Sequence, residues 1–122
     1  MPEKPEFIYN TPGDWQATKM GPYLFDGRGD WIGFVNDRDV YTRDGEWIGT
    51  LSKDGRVLRK RTTERKPLTS AIPPKPAYTR ADLPGRAPLP MQMAELGFDT
   101  IDVLDEDPEI FKRLSDLRPD LD

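Results

Sequence analysis

Apolar and polar residues alternate over the first half of the chain, and the pattern returns every sixteen residues. A triplet of Gly, an acidic residue and Trp begins at Gly13, Gly29 and Gly45. A period of two that returns in register is typical of β-strands rather than helices. Each unit is therefore predicted to be a β-hairpin. An aliphatic residue beside an aromatic one precedes each triplet, at Ile8-Tyr9, Leu24-Phe25 and Val40-Tyr41.

The turns between the predicted strands carry Asp-Gly dipeptides at Asp26, Asp44 and Asp54. Gly accepts a positive φ and Asp tolerates it, so this dipeptide favours a tight reversal of the chain. With a last hairpin from Leu51 to Arg61, about seven short strands are expected. The first copy has Gln16-Ala17 where the others have Ile-Gly, which predicts an end unit that faces water.

The aromatic residues of the repeat are predicted to form the core. A β domain of about 60 residues without disulfides needs large side chains to close its interior. The stripe consists of Tyr9, Phe25, Tyr41, Trp15, Trp31 and Trp47.

The sequence divides into three parts of different character. Residues 1–66 form the predicted hairpin-repeat domain, which makes the fold mainly β, flower-like or barrel-like. Seven prolines fall within residues 67–90, and this density predicts an extended polyproline-type linker. Residues 91–122 form an acidic tail.

The tail contains one predicted helix, over about residues 107–118. Asp107 is a suitable N-cap, Pro108 suits the first helical position, and an apolar stripe follows. So short a helix is marginal in water, so it needs a surface, either on its own β domain or on a partner protein. The candidate partner-binding residues are Ile110, Phe111, Leu114 and Leu117.

The net charge of -4 hides an uneven distribution. Bases are concentrated in residues 53–66, whereas acids dominate residues 99–122. A basic strand of this kind can bind the phosphates of nucleic acids, and the acidic tail could occupy the same surface in cis. The candidate basic patch comprises Arg56, Arg59, Lys60, Arg61, Arg65 and Lys66.

The chain contains neither cysteine nor histidine. Disulfide scaffolds, thiolate catalysis, Cys/His zinc sites and mechanisms that use imidazole are thereby excluded. The repeated acids Asp14, Asp30 and Glu46 are expected to serve turns rather than acid–base chemistry. We therefore expect no catalytic residues, no metal site and no cofactor.

The sequence also bears on location. It has no run of about 18 apolar residues, so no contact with a membrane is expected. The first seven residues lack the apolar region of a secretory signal. Without cysteines to oxidise, a reducing cytoplasm is the expected compartment.

Two stretches of the repeat resemble the bacterial 4-fold β-flower domain family. They are Phe25-Asp26-Gly27-x-Gly29-x-x-Ile32-Gly33 and Val40-Tyr41-x-x-Asp44-Gly45-x-x-Ile48-Gly49, followed by a proline-rich exit at Pro67-Leu68. The resemblance covers roughly Phe7 to Pro76. It implies short hairpins packed around a pseudo-fourfold axis, and it implies no particular activity.

Together these features predict a non-catalytic module for protein interaction or self-association, with the tail helix docking in cis or on a partner. The alternative is a nucleic-acid-binding protein that uses the basic strand at residues 53–66.

Overall fold

The computed structural model describes residues 4–62, 67–69, 71–78 and 82–111. Their eight strands form one antiparallel sheet in the order of the sequence, and the sheet curls into a half-barrel. This confirms the mainly β hairpin fold. The strands are β1 (Glu6–Tyr9), β2 (Trp15–Met20), β3 (Tyr23–Phe25), β4 (Trp31–Asn36), β5 (Asp39–Thr42), β6 (Trp47–Leu51), β7 (Val57–Lys60) and β8 (Thr100–Asp102).

The sixteen-residue repeat appears in the strand pairing as a repeated irregularity. The register shifts at Ile8/Tyr9 between β1 and β2, at Leu24/Phe25 between β3 and β4, and at Val40/Tyr41 between β5 and β6. A β-bulge bends its strand and increases the local twist. Three bulges at the same position of each unit therefore curl the sheet in the same way three times.

Four connections share one hydrogen-bonded turn, which we number along the chain as turn 1 (10–14), turn 2 (26–30), turn 3 (42–46) and turn 4 (52–56). In each, the side chain of the first residue accepts a hydrogen bond from the backbone N–H of the fifth. The fourth residue is a glycine with φ between 82° and 96°, a conformation that glycine adopts without strain. In turn 2 the glycine with positive φ is Gly29. The Asp26-Gly27 dipeptide had predicted it at Gly27, two residues earlier.

The main core cluster of the half-barrel is aliphatic. Of the predicted aromatic core, Tyr9 and Phe25 are buried, whereas the prediction is wrong for Tyr41 and the tryptophans. The three tryptophans are half-buried, and the indole N–H of Trp31, for example, donates to the Gly33 carbonyl at 2.7 Å. A partly buried indole N–H needs a hydrogen-bond acceptor, and for Trp31 a backbone carbonyl at the edge of the core is that acceptor. The buried cluster includes Ile8, Ala17, Leu24, Val35, Val40, Ile48, Leu51 and Val57.

The first repeat does not face water at the position where it departs from the others. Ala17 is fully buried and belongs to the core cluster. Ala17 stands where the later copies have Gly33 and Gly49, so it adds a methyl group to the interior. Gln16 stands where they have Ile32 and Ile48, and it is half-buried, as Ile32 is.

The chain after β7 returns to the sheet. Strand β8 pairs with β7, and helix α1 (Val103–Glu106) follows it directly. This helix is not the predicted one over about residues 107–118, because it is capped by Asp102 and ends at Asp107, the predicted N-cap. Residues 108–111 form a turn, and the rest of the predicted helix, 112–118, lies outside the described residues. Across the described residues, no helix has the length and apolar character needed to cross a membrane.

Candidate interaction surface

The tail docks on the β domain of its own chain. We call residues 98–111 the C-terminal arm. Its strand β8 pairs Asp102 with Leu58 and Thr100 with Lys60. Four of its apolar side chains join the core cluster. They are Ile101, Val103, Leu104 and Ile110, each no more than 7% exposed.

Two of the four predicted partner-binding residues of the tail are therefore used in cis. Ile110 is 6% exposed, and Phe111 packs against the core beside Ile32. A carbon added at Gly33 would lie 3.0 Å from Cε1 of Phe111, so the ring covers that glycine closely. Leu114 and Leu117 lie outside the described residues.

The exposed part of the basic patch contacts the acidic arm. Lys60 Nζ lies 2.9 Å from the Asp99 carboxylate, and Arg61 Nη1 lies 3.4 Å from that of Glu106. Arg61 also donates to the Phe98 carbonyl at 2.9 Å. The ammonium of Lys60, by its hydrogen bond, lowers the pKa of the Asp99 carboxyl below its usual value. Arg59 is half-buried, and Arg65 and Lys66 lie outside the described residues.

Arg56 does not belong to a surface patch, which corrects its assignment from sequence. Its side chain is 1% exposed and lies 2.6 Å from the Asp54 carboxylate. It also donates to the Thr11 hydroxyl at 3.1 Å and to the Ala94 carbonyl at 2.8 Å. A buried guanidinium needs such partners for its several N–H groups, and no ligand can reach it here.

Asp54 belongs to the same hydrogen-bond network, which lowers its pKa. The hydrogen bond from Arg56, the largest cause, lowers the pKa of the Asp54 carboxyl from 3.8 to about 2, and the Ser52 hydroxyl also donates to it. The backbone N–H of Ala94 donates from the other side at 3.3 Å. Turn 4 is thus fixed to the segment that leads into the arm.

A buried carboxylate, that of Asp102, ties turn 1 to the arm. Asp102 is 4% exposed, and it accepts hydrogen bonds from the backbone N–H of Thr11 at 2.5 Å and from its hydroxyl at 2.7 Å. Its other oxygen accepts from the N–H of Asp105 and caps α1. Because Thr11 also contacts Arg56, turn 1, turn 4 and the arm form one polar network. Sequence reasoning missed Asp102, which carries no signal apart from its position before a short helix.

The proline-rich region also lies against the sheet in its described residues. The Tyr23 hydroxyl donates to the Pro74 carbonyl at 2.7 Å, and the Tyr9 hydroxyl donates to the Pro88 carbonyl at 2.5 Å. Burial raises the pKa of Tyr9 above its ordinary value. Residues 67–90 therefore include contact points and are more than a spacer.

A few large apolar side chains remain exposed. Leu89 and Phe98 are 94% and 95% exposed, and Met91 is 62% exposed. Leu89 and Met91 line an open groove of about 820 Å³, which Phe7 and Tyr9 of β1 border on the other side. Exposed apolar side chains around a groove are typical of interaction surfaces.

The repeated acids Asp14, Asp30 and Glu46 are the fifth residues of turns 1 to 3, where the backbone N–H of each donates to the side chain of the first residue. Asp26 accepts hydrogen bonds from the N–H groups of Arg28 and Asp30, which is the turn role expected from sequence. Among the described residues, no group of three or more acidic side chains is arranged to hold a metal ion.

No family model, curated protein or solved structure matches this chain.

Proposed function

We propose that this chain is a non-catalytic interaction module that associates with a second copy of itself by exchanging the C-terminal arm. One observation carries the proposal. The strand that completes the sheet comes from beyond a connection of about forty residues, 61–99. A chain of that length reaches at most about 130 Å when extended. Once the contacts of Pro88 and Ala94 with the sheet are released, the arm can pair with its own β7 or with that of a second copy.

The contacts of the arm are suited to exchange. In a second copy it would meet the same β7 edge, the same apolar core and the same two cations, Lys60 and Arg61. Exchange of an identical element creates no new surface, and for that reason it is a low-cost route to dimers. The concentration of the protein then decides between the closed monomer and the exchanged dimer.

The alternative is nucleic-acid binding through the basic strand at 53–66. The ion pairs within the chain count against it, because Lys60 and Arg61 already face carboxylates and Arg56 is buried. Retention of the intact chain on single-stranded DNA at low salt, lost when Arg59, Lys60 and Arg61 are changed to Ala, would favour this alternative.

We also propose a cytoplasmic location and membership of the bacterial β-flower family, on the grounds given by the sequence.

Two charge-reversed chains test arm exchange. The first carries Lys60→Glu and Arg61→Glu, and the second carries Asp99→Lys and Glu106→Arg. Each variant alone places like charges together within the chain, whereas a mixture offers matched charges only between the two chains. We expect the mixture to form a one-to-one heterodimer, measured by native mass spectrometry and light scattering, while each variant alone forms fewer dimers.

The chain that carries all four changes is the matched control. It restores opposite charges within one molecule and should have the same concentration-dependent size as the unmodified chain. Exposed ion pairs contribute less than about 1 kcal/mol each, so all three chains should fold, which circular dichroism checks. A mixture that stays monomeric, together with an unmodified chain that is monomeric at millimolar concentration, would rule out arm exchange.

A further inference from the structure

The surface around Tyr23 carries a second inference, separate from the exchange of the arm. We infer that Tyr23, Phe25 and Trp31, which we call the aromatic platform, form a binding site for proline-rich peptides. In this chain the platform holds residues 71–78, the proline segment, in cis. Either inference can fail without the other, because the platform lies on β3 and β4 and the arm pairs with β7.

The proline segment contacts the platform through a hydrogen bond and through ring contacts. The Tyr23 hydroxyl donates to the Pro74 carbonyl at 2.7 Å. Tyr78, at the end of the segment, meets the rings of Tyr23 and Phe25 edge-on, with centroids 6.2 and 6.0 Å apart. A proline residue has no backbone N–H, so its carbonyl oxygen is its one strong hydrogen-bonding group. The Tyr23 hydroxyl donates to that oxygen.

Burial of the proline side of the segment fits the period of a polyproline helix. Pro73 and Pro76 are half-buried, whereas Pro74, Lys75 and Ala77 are exposed. Tyr78 is also half-buried, and its ring contacts with Tyr23 and Phe25 account for that. A polyproline II helix has three residues per turn, so residues three apart lie on the same face. One such face therefore contacts the protein, as when proline-rich ligands dock on aromatic grooves.

Contacts outside the proline segment hold the Trp31 ring of the platform. The Trp31 ring packs edge-on against Tyr23 at 6.0 Å, and its indole N–H is bonded to the Gly33 carbonyl. The guanidinium of Arg43 lies 4.8 Å from the centre of the same ring, a cation–π contact that holds it further. A surface whose rings are already held loses little entropy when a rigid polyproline ligand binds.

The proline segment can leave without breaking the sheet. Among the described residues it forms no strand and pairs with none. It lies within the long connection between β7 and β8, so its release does not require the arm to detach. A proline-rich peptide from another molecule would therefore compete with an internal ligand that is present at millimolar effective concentration.

A fluorescent peptide with the sequence of residues 71–78 tests this site on the full-length chain. In the variant Pro73→Ala with Pro76→Ala, the internal ligand is weakened and the platform is more often free. We expect this variant to bind the peptide at least about fivefold more tightly than the unmodified chain does, measured by fluorescence anisotropy. Adding Tyr23→Phe should weaken binding by about fivefold, because the hydrogen bond to the proline carbonyl is lost.

Two controls separate a specific site from general stickiness. Tyr41→Phe makes the same chemical change on a ring of β5 that stacks on Phe34 and is not part of the platform, and it should leave the affinity unchanged. A peptide with both half-buried prolines replaced by alanine should bind at least about fivefold more weakly. Tyr78→Ala offers a second way to free the platform if the double proline variant folds poorly.

The inference fails if the proline-weakened chain shows no binding at millimolar peptide. It fails equally if the alanine peptide binds as well as the proline peptide, or if Tyr23→Phe and Tyr41→Phe have the same effect.

Discussion

Gly33 and Gly49 stand at the same position of successive repeats, and each faces the backbone of a neighbouring strand. A Cβ at Gly33 would overlap the Tyr41 carbonyl oxygen, and one at Gly49 would lie 2.8 Å from the carbonyl oxygen of Leu58. Backbone cannot move aside as a flexible side chain can. The backbone of the neighbouring strand therefore approaches these two glycines so closely that no side chain fits there.

We therefore expect Gly33→Ala to destabilise the protein by about 2–3 kcal/mol, because the added methyl overpacks a site closed by backbone and by Phe111. Gly27→Ala is the matched control, since a carbon there meets nothing within 4 Å and its φ is not positive. Its free energy of unfolding in urea should change by no more than about 0.5 kcal/mol. Equal loss of stability in both variants would contradict this account of Gly33.

At the scale of elements, the arm is held by one carboxylate as much as by strand pairing. Strand β8 has three residues and α1 has four, so neither is stable by itself. Asp102 caps the helix and accepts two hydrogen bonds from Thr11. Its removal leaves the backbone N–H of Thr11 without that acceptor, a cost that falls directly on the docking of the arm.

Asp102→Ala should lower stability by about 2–3 kcal/mol. It should also increase amide hydrogen exchange in residues 100–104 more than in strands β3 to β5, because the arm opens first. Asp105→Ala, at an exposed position in the same helix, is the comparison and should change exchange little. Uniform acceleration across the whole sheet in Asp102→Ala would indicate global destabilisation instead of release of the arm.

The same elements show where prediction from sequence ends. Strands β1 to β7 follow from local alternation and turn residues, and hairpins need little else. Strand β8 could not be predicted in this way, because Thr100, Ile101 and Asp102 become a strand only by meeting β7 across a long connection. Arg56 shows the same limit for the site, since charge can be read from sequence but burial beside Asp54 cannot.

For Arg56 a weak signal did exist. It is the fifth residue of a turn whose other copies hold Asp14, Asp30 and Glu46 at that position. A turn position for Arg56 would have argued against placing it in a strand-borne surface patch with Arg59. Two of the candidate tail residues could be predicted from sequence as apolar contact residues. Ile110 and Phe111 do pack against the core, but the surface that they contact is known only from the fold.

At the scale of the whole molecule, the two ends of the half-barrel meet around turn 1. The Tyr9 N–H donates to the Gly55 carbonyl at 2.8 Å, and Thr11 contacts both Arg56 and Asp102. The curled sheet is therefore tied to itself by a polar network in place of further strand pairing. Stability of the whole fold should depend on the charges of that network.

The fall in the free energy of unfolding at acid pH tests this dependence. The pKa of Asp54 is lower in the folded chain, about 2 against 3.8, so its carboxylate stabilises the fold above pH 3.8. That contribution is lost as the pH falls from about 4 through 2. In Asp54→Asn we expect a lower urea midpoint at pH 7 and a flatter decline between pH 4 and pH 2.

Asp99→Asn is the control for this measurement. Asp99 forms an exposed pair with Lys60, and exposed pairs contribute little to stability. The unfolding midpoint of this variant should stay close to that of the unmodified chain at neutral pH. An Asp54→Asn chain with the same acid profile as the unmodified chain would show that other carboxylates govern acid unfolding.

The long connection before β8 also sets an order of events during synthesis. The hairpins of β1 to β7 involve only nearby residues and can form while the chain is still growing. At about 5–20 residues per second, the ribosome needs about 2–8 seconds more to add residues 61–99. During that interval the β7 edge and one side of the core lack their last strand. On a polysome, where nascent copies are close together, the first arm to reach a given β7 edge can come from a neighbouring chain.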